Sequence, residues 1–302
     1  MTTRREDPAV SRVPSPPAAS HGTGSSRRPA DRAADSAADD RVAVDLWLVR
    51  HPVPHGAGRR LVVAELDDQE RARAGALPRP RDALLFTAAH IALRRLLAGA
   101  LGLAPREVAY VREPCPRCGG PHGRPALRPA PGARGPEPTL HFSLSHSSGR
   151  ALVALAAVPV GVDIQRMPSA ETTDVCTRLL HPGERAELDE LPPGERGAAF
   201  GQLWARKEAY LKGLGTGLER PLHADYLGSS VREPRLRPAG WTVLDLPCGP
   251  AHGAAVAVLG TPEDPCTVRP LPAEWLYEAD AARVLAEIAH LTTAVPVKET
   301  PT

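Results

Sequence analysis

Lysine, aromatic residues and long hydrophobic runs are all scarce in this chain of 302 residues. Aromatic residues make up only 4% of it, and 37 basic residues nearly balance 35 acidic ones, so we do not expect a nucleic-acid-binding protein. Because no run of about 18 apolar residues occurs, we expect no membrane span and no membrane partner. Apolar residues still amount to 42%, which with the length predicts a globular protein of about two domains or lobes.

Cysteine is also sparse, and its odd number is unlike the disulfide framework of a small secreted domain. The five residues are Cys115, Cys118, Cys176, Cys248 and Cys266. No apolar segment typical of a signal peptide follows Arg4 and Arg5 before ordered structure is expected at Arg41. We therefore expect a protein of the reducing cytoplasm.

Hydrophobic periodicity predicts a mixture of strands and helices after residue 40. Residues 1–40 contain few large aliphatic side chains and are expected to be disordered. Strands are predicted at 42–48, 140–145, 150–158, 160–165, 241–246 and 254–259. Helices are predicted at 83–103, 184–191, 197–212 and 273–291, and the Pro- and Gly-rich residues 112–138 are predicted to form a loop.

Two of the chain's three lysines, Lys207 and Lys212, lie in one short segment, WARKEAYLKGLGTGL. On a helix this segment places Trp204, Glu208 and Lys212 on one face. Glu208 and Lys212 could form an ordinary surface ion pair, which contributes about 0.3–0.5 kcal/mol. The scarcity of lysine elsewhere, and the glycines that follow, indicate instead a site that closely approaches a ligand.

A second acidic residue, Asp163, stands in the apolar strand sequence GVDIQ. Its carboxylate must face away from Val162 and Ile164, or be buried and paired. Taken alone, Asp163 could equally be a salt-bridge partner at a strand end. With Glu208 and the lysines, however, it completes a set of groups suited to binding a divalent cation and phosphate.

These segments together resemble the 4'-phosphopantetheinyl transferase superfamily, and within it the Sfp-type enzymes that prime carrier proteins. The resemblance rests on Ser145-His146, Gly161-Val162-Asp163, Glu184, and Trp204 through Lys212, in the family's order and spacing. It implies an α+β fold of two similar lobes related by a pseudo-twofold axis, with the active site in the cleft between them. The predicted divisions are a tail at 1–40, an N-terminal lobe at 41–158 and a C-terminal lobe at 159–302, which carries the metal and catalytic motifs.

The resemblance also implies a reaction in which coenzyme A donates its phosphopantetheine arm to a carrier-protein serine and 3',5'-ADP leaves. Asp163 and Glu208 would bind Mg²⁺ and act in catalysis. Glu208, directly or through a metal-bound water, would take the serine proton, and Lys212 would neutralise developing charge. Coenzyme A would be bound by basic and hydroxyl side chains: Arg71, Arg124, Ser145, His146, Lys207 and Lys212.

Two positions depart from the family's pattern. Where many relatives have a further glutamate, this chain has Gln165, whose amide is a poorer ligand for Mg²⁺. Either two carboxylates and water hold the ion, which we prefer, or Gln165 or Glu184 contributes through water. The stretch from Asp82 to Phe86 lacks the usual arginine, so we expect a weaker grip on the 3'-phosphate unless Arg79 or Arg81 replaces it.

The segment CPRCGGPHG brings Cys115, Cys118 and His122 into a C-x2-C-x3-H pattern. A zinc site, an oxidisable cysteine pair and a loop without a bound ion are all compatible with it. Because structural zinc normally has four ligands and no second pair of ligands follows, we favour the loop without an ion.

The sequence thus predicts a monomeric enzyme acting on acyl, peptidyl or aryl carrier proteins, of the kind used in polyketide and nonribosomal peptide biosynthesis. The alternative is an impaired relative that binds coenzyme A or carrier protein without turnover. It is motivated by Gln165 and the missing arginine. A zinc-stabilised nucleic-acid module has little support from the charge and aromatic content. We expect the carrier protein to dock near Arg166 to Leu180 and around Pro192.

Overall fold

A computed structural model of the chain describes residues 41–51, 60–128, 140–229, 234–277 and 280–293. The tail predicted at 1–40 lies outside these ranges. The described residues contain eleven strands: β1 (Arg41–Val42), β2 (Val44–Arg50), β3 (Tyr110–Arg112), β4 (Pro125–Leu127), β5 (His141–Ser147), β6 (Arg150–Ala156), β7 (Val160–Arg166), β8 (Trp241–Asp245), β9 (His252–Leu259), β10 (Thr261–Pro262) and β11 (Val268–Pro270).

Six α-helices lie within the same ranges: α1 (Asp68–Gly75), α2 (Pro80–Leu101), α3 (Ala170–Thr177), α4 (Pro182–Asp189), α5 (Pro193–Leu214) and α6 (Ala281–Leu291). Short 3-10 turns occur at Val63–Glu65, Pro105–Glu107, Gly217–Glu219, Leu222–Ala224, Pro234–Leu236 and Ala273–Leu276. The protein therefore has a mixed α+β fold. The predicted boundary between residues 158 and 159 lies within one compact unit of the chain, Asp40–Thr302, and stays a prediction.

Two sheets organise the fold. The first has the order β11-β2-β6-β5, with β11 parallel to β2 and the other pairs antiparallel. The second is antiparallel, with the order β7-β9-β8. Aliphatic side chains from both sheets form one buried cluster that includes Leu46, Leu152, Val162 and Val256. Strand residues on the other faces pack against helices, so each sheet is covered on both sides.

The two longest helices, α2 and α5, have 22 residues each and pack on different sheets. Each has a proline in its first turn and ends at a glycine with positive φ, Gly102 at 67° and Gly215 at 78°. A proline is tolerated at a helix start, where its missing N–H has no partner to lose, and glycine adopts the left-handed capping conformation without strain. The sequence prediction that this helix ends at residue 212 is therefore wrong by two residues.

Helix α2 is long and apolar enough to cross a membrane by length and composition alone. In the structure, however, 67% of its most apolar window is buried inside the protein. Its side chains contact the first sheet and α6, as the core helix of a globular fold does.

Other local predictions need correction. The predicted helix at 273–291 is a 3-10 turn followed by α6, because the Asp280 side chain accepts a hydrogen bond from Arg283 N and caps a new helix start. The predicted loop at 112–138 includes β4, which gains its backbone partners by pairing with β3; residues 129–139 lie outside the described ranges. Helices α1 and α3 and strand β11 were not predicted, since each is short and weakly amphipathic or polar.

Candidate active site

The two faces of strand β7 carry different kinds of residue, one apolar and one that includes the predicted site residue Asp163. Val160, Val162 and Ile164 point into the apolar cluster between the sheets. Because side chains alternate along a strand, Gly161 and Asp163 point the other way, toward α5. Gln165 lies on this second face as well but is exposed at the end of the strand. The alternation that identified Asp163 in the sequence is thus the reason its carboxylate meets the helix.

Gly161 allows β7 to touch the backbone of α5. A Cβ atom at this position would lie 2.0 Å from the Ala209 carbonyl oxygen and 2.4 Å from Gly213 N. Both neighbours are main-chain atoms within a helix and cannot rotate away. This close approach sets how near Asp163 comes to the side chains of α5.

The change Gly161→Ala is expected to destabilise the protein by roughly 1–3 kcal/mol, because the added methyl group must push β7 away from α5. The same displacement should impair activity by separating Asp163 from Lys212. Urea unfolding of the variant beside Gly194→Ala provides the measurement, since a Cβ atom at Gly194 meets nothing within 4 Å. Equal stability of the two variants would contradict the close packing described here.

Asp163 is held by two neighbours through one of its oxygens. Ser145 Oγ donates a hydrogen bond to Oδ1 at 2.7 Å, and Lys212 Nζ lies 2.6 Å from the same atom. The other oxygen, Oδ2, is buried and has no hydrogen-bond partner in the part of the chain that the structure describes. A buried carboxylate oxygen without a partner is costly, so this atom is suited to a bound ion.

Glu208 lies on α5 one turn before Lys212. Its pKa is raised by burial and, next, by the negative charge of Asp163, while Lys212 acts in the opposite direction. Two carboxylates that repel each other, one with an unsatisfied oxygen, fit the oxygen ligands and charge that Mg²⁺ requires. Asp163 and Glu208 are therefore the pair that could hold a divalent cation.

The raised pKa of Glu208 predicts how stability depends on pH when no metal is bound. A group whose pKa is higher in the folded state stabilises the fold below its unfolded-state pKa and loses that contribution as the pH rises through the folded-state value. In EDTA, Glu208→Gln should therefore gain stability relative to the wild type as the pH rises above about 4 toward neutrality. Thermal unfolding of both proteins across this range tests the prediction. A variant that loses stability relative to the wild type as the pH rises would contradict it.

Serines on β5 join the two sheets beside this site. Besides the Ser145 bond to Asp163, Ser143 Oγ accepts a hydrogen bond from Val162 N at 3.0 Å, and Ser147 Oγ accepts one from Arg166 N at 3.1 Å. The edge strands β5 and β7 are thus connected by side chains instead of a backbone ladder. The alternating serines of FSLSHSS were the available sequence signal, although Ser145 was predicted to bind phosphate.

An open cavity of about 730 Å³ begins next to Lys212. Three predicted site residues line it: Arg124, His146 and Lys212. Arg124 Nε pairs with Glu113 at 2.7 Å, and its Nη1 donates to the Gly213 carbonyl at 3.0 Å, so this arginine ties β4 to the end of α5. The cavity has the size expected for a small-molecule site.

Several cavity residues were not predicted from the sequence. Arg73, Arg112 and His90 add basic groups to its wall, and Phe86 adds an aromatic ring. The Phe86 ring stacks on His90 with centroids 4.0 Å apart and meets His146 edge-on at 6.0 Å. Phe86 and His90 were not predicted as site residues because they lie on α2, and the periodic apolar residues of such a helix are normally interpreted as core.

The cavity wall also carries Asp67 and Glu70, which share one buried arginine. The guanidinium of Arg94 pairs with Asp67 Oδ2 at 2.6 Å and with Glu70 Oε2 at 2.5 Å. His90 Nδ1 contacts the other oxygen of Glu70 at 2.9 Å. Arg73 and Arg112 also line the cavity and supply cationic groups that can bind phosphate.

His146 stands at the cavity edge, with much of its ring exposed to solvent. The surrounding protein lowers its pKa, first by desolvation and then through the charges of His90 and Lys212, and Asp82 partly opposes this. The neutral imidazole is thus favoured at neutral pH. It can donate or accept a hydrogen bond there without adding a full charge.

The structure separates Arg71 from this cavity. Its guanidinium contacts Asp68, in the first turn of α1, and the carbonyl oxygen of Leu66, which precedes that helix. Arg73, two residues further along the same helix, lines the cavity instead. Residues two apart on a helix lie on nearly opposite faces, and the sequence could not tell which face is inward.

Lys207 and Glu184 form a pair of their own away from Asp163. Lys207 Nζ lies 2.7 Å from Glu184 Oε1, and the two side chains are 2% and 0% exposed. Lys207 also donates to the Leu222 carbonyl at 2.7 Å, and Glu184 accepts from Leu227 N at 2.6 Å. This buried pair joins α4 to α5 and the following loop, an arrangement that favours a structural role.

Comparison with known proteins places this site in a class of enzymes. Residues 159–242, which contain Asp163, Glu184, Glu208 and Lys212, match the family model described as the 4'-phosphopantetheinyl transferase superfamily. The curated 4'-phosphopantetheinyl transferase HetI of Nostoc sp. is 31% identical over 220 residues, covering 72% of this chain and 88% of that protein. The chain therefore belongs to the 4'-phosphopantetheinyl transferase superfamily, and it is an enzyme of this class.

Two further relatives come from Bacillus subtilis. One 4'-phosphopantetheinyl transferase is 30% identical over 198 residues, covering 65% of this chain and 70% of that protein. The 4'-phosphopantetheinyl transferase Sfp of strain 168 is 29% identical over 101 residues, covering 33% of this chain and 42% of its own length. The family predicted from the sequence motifs is thus confirmed.

Proposed function

We propose that this chain transfers the 4'-phosphopantetheine arm of coenzyme A to a serine of an acyl, peptidyl or aryl carrier protein, in a reaction that depends on Mg²⁺. The serine oxygen forms a bond to the β-phosphorus, and the bond from that phosphorus to the bridging oxygen breaks. The serine proton moves to Glu208, and 3',5'-ADP leaves.

The observation that carries this proposal is the group formed by Asp163, Glu208 and Lys212. One buried oxygen of Asp163 has no partner among the described residues, and burial followed by the negative charge of Asp163 raises the pKa of Glu208. Both carboxylates would hold Mg²⁺, which when bound would neutralise the pyrophosphate and make its phosphorus more electrophilic. Gln165 is exposed and Glu184 is engaged by Lys207, so we favour two protein carboxylates with water as the ligand set.

The chain's own groups have distinct tasks in this scheme. Glu208, with its raised pKa, is suited to accept a proton near neutral pH. The Lys212 side chain is 31% exposed and lines the cavity, where its ammonium group can stabilise charge on the transferred phosphate. Arg73, Arg112, Arg124 and His146 line the cavity and would bind the nucleotide phosphates. Arg71 contacts Asp68 and Lys207 pairs with Glu184, so direct contacts from these two side chains to coenzyme A stay predictions.

The carrier protein is proposed to dock beside Trp204. A groove of about 320 Å³ there is lined by Gln165, Met167, Cys176 and Trp204. Exposed Val175 and Leu179, at 62% and 51%, extend it with apolar surface inside the predicted segment Arg166 to Leu180. A helix that presents the acceptor serine next to this groove would bring the hydroxyl toward Glu208, which follows Trp204 by one helical turn.

We also propose that the fold divides into the predicted lobes, 41–158 and 159–302, related by a pseudo-twofold axis. In support, each range contains one 22-residue helix packed against antiparallel strands, α2 on β2, β5 and β6, and α5 on β7. Coenzyme A would then bind where Lys212 of the second range faces His146 of the first.

Mass spectrometry of an apo carrier protein incubated with this enzyme, coenzyme A and Mg²⁺ tests the function. We expect a mass gain of one phosphopantetheine arm, which is lost in EDTA and restored by added Mg²⁺. No gain with acyl, peptidyl and aryl carriers, while calorimetry still detects coenzyme A, would overturn the proposal in favour of the impaired relative. A gain that persists in EDTA would overturn the role of Mg²⁺ alone.

A further inference from the structure

The segment from Glu113 to Pro125 contains a group of metal-ligating atoms distinct from the carboxylate pair of Asp163 and Glu208. We call it the Cys-His loop. Cys115 is buried, whereas Cys118 and His122 are exposed. The two sulfurs and a ring nitrogen of His122 all lie within 4.8 Å of one another, and Cys118 Sγ is 3.0 Å from His122 Nε2. The fold therefore brings the ligand atoms of these three side chains together at one point.

The backbone of the Cys-His loop is shaped around this point. Gly119 N donates to the Cys115 carbonyl at 2.8 Å, and Cys115 N donates to the Gly120 carbonyl at 2.8 Å, which closes a tight turn. Gly119 has a φ of 73°, a conformation that glycine adopts without strain. A Cβ atom on Gly120 would lie 2.9 Å from His122 Cδ2 and 3.3 Å from Cys118 Sγ. Glycine is needed there for the ligand atoms to meet.

A backbone N–H group also points at one of the sulfurs. Gly120 N lies 3.4 Å from Cys118 Sγ as a hydrogen-bond donor. Such a donor stabilises a thiolate, which is the form that binds a metal ion.

We infer that Cys115, Cys118 and His122 bind a zinc ion, with water at the fourth position. Two thiolates and an imidazole form a ligand set that selects zinc over the hard cations Mg²⁺ and Ca²⁺. The exposure of Cys118 and His122 leaves room for the water. Each cysteine thiol releases a proton to solvent as its sulfur binds the metal. This inference replaces the loop without an ion that the sequence favoured, because the sequence gives the ligand spacing but not their convergence.

The zinc ion would stiffen one wall of the nucleotide cavity. The Cys-His loop ends in Gly123, Arg124 and Pro125, which line that cavity together with His122. Arg124 fastens this end to Glu113 and to the last turn of α5. Zinc removal should raise the KM for coenzyme A several-fold with a smaller effect on kcat, an expectation that rests on the proposed function.

Metal analysis of the full chain tests the zinc site without any transfer assay. The protein is expressed with added zinc and purified under reducing conditions, without chelator and with any polyhistidine tag removed. We expect about one zinc ion per chain in the wild type. Cys118→Ser and His122→Asn should each lose most of it, while Cys266→Ser and His223→Asn, matched changes outside the loop, retain it. In cobalt-loaded protein, thiolate-to-cobalt absorption should be strong in the wild type and weak in Cys118→Ser.

Wild-type protein with less than about a tenth of an equivalent of zinc would overturn the inference, as would zinc that survives both loop substitutions. A Cys115–Cys118 disulfide in place of metal in the reduced preparation would overturn it as well. If one loop variant fails to fold, the other and the cobalt spectrum of the wild type still decide. Because metal content is measured without coenzyme A or carrier protein, failure here is distinguishable from failure of the proposed transfer activity.

Discussion

Glu208→Gln is expected to lower the rate of phosphopantetheine transfer by about 10²–10⁴-fold, the usual contribution of a general base, and further if Mg²⁺ is also lost. Glutamine keeps the shape of the side chain but can neither accept the serine proton nor bring negative charge to the cation. The variant should stay folded, because it removes a carboxylate that repels Asp163. The measurement is the rate of mass gain of an apo carrier protein at saturating coenzyme A and Mg²⁺.

The control for this prediction is Glu195→Gln, an exposed glutamate in the first turn of the same helix. It should retain activity within about twofold, since surface substitutions change free energies by only a few tenths of a kcal/mol. Transfer by Glu208→Gln at the wild-type rate would remove Glu208 from the mechanism. Equal losses in both variants would instead indicate a general defect of α5.

Replacing Lys207 or Lys212 by methionine is expected to have different effects. The first change should mainly lower stability, and the second should mainly lower activity. Lys207→Met should lower the free energy of unfolding by about 3–5 kcal/mol, because it leaves the fully buried Glu184 without its cation. Lys212→Met should cost less stability, since the Lys212 side chain is 31% exposed and Asp163 keeps its hydrogen bond from Ser145, but it should reduce transfer about 10²–10³-fold. Urea unfolding and the carrier-protein assay on both variants separate the two effects.

A double substitution keeps this prediction testable if Lys207→Met does not fold. In Lys207→Met with Glu184→Gln, neither residue of the pair carries a charge, and the single amide oxygen can still accept from one of Leu227 N and His181 N, which bond to different oxygens of Glu184. Part of the lost stability should therefore return. A stable but inactive Lys207→Met, beside an unstable but active Lys212→Met, would show that the roles assigned to the two lysines must be exchanged.

Much of the candidate active site could be predicted from the sequence because its geometry is expressed in local patterns. The alternation in GVDIQ turned Asp163 away from the apolar face, and helical spacing put Glu208 and Lys212 on one side of α5. The scarcity of lysine drew attention to the segment whose Lys212 lies beside Asp163 in the structure. These features depend on residues close together in the chain, which is why periodicity could identify them.

Predictions that depended on which face of an element turns inward were less successful. The sequence chose Arg71 where Arg73 lines the cavity, and it grouped Lys207 with Lys212 although Lys207 lies buried against Glu184. Ser145 was assigned to phosphate, yet its hydroxyl holds Asp163. In each case both candidate residues are chemically suitable, and only the packing of one element on another distinguishes them.

The sequence by itself determined the class of enzyme, the main helices and strands, and the acidic and basic residues expected to perform the chemistry, because these are properties of residue type and short-range spacing. Only the tertiary structure decided that β7 touches the backbone of α5 at Gly161, that one Asp163 oxygen has no partner among the described residues, and that the Cys-His loop gathers three ligand atoms. Such distances are fixed by contacts between residues far apart in the chain, and no local pattern of amino acids specifies them.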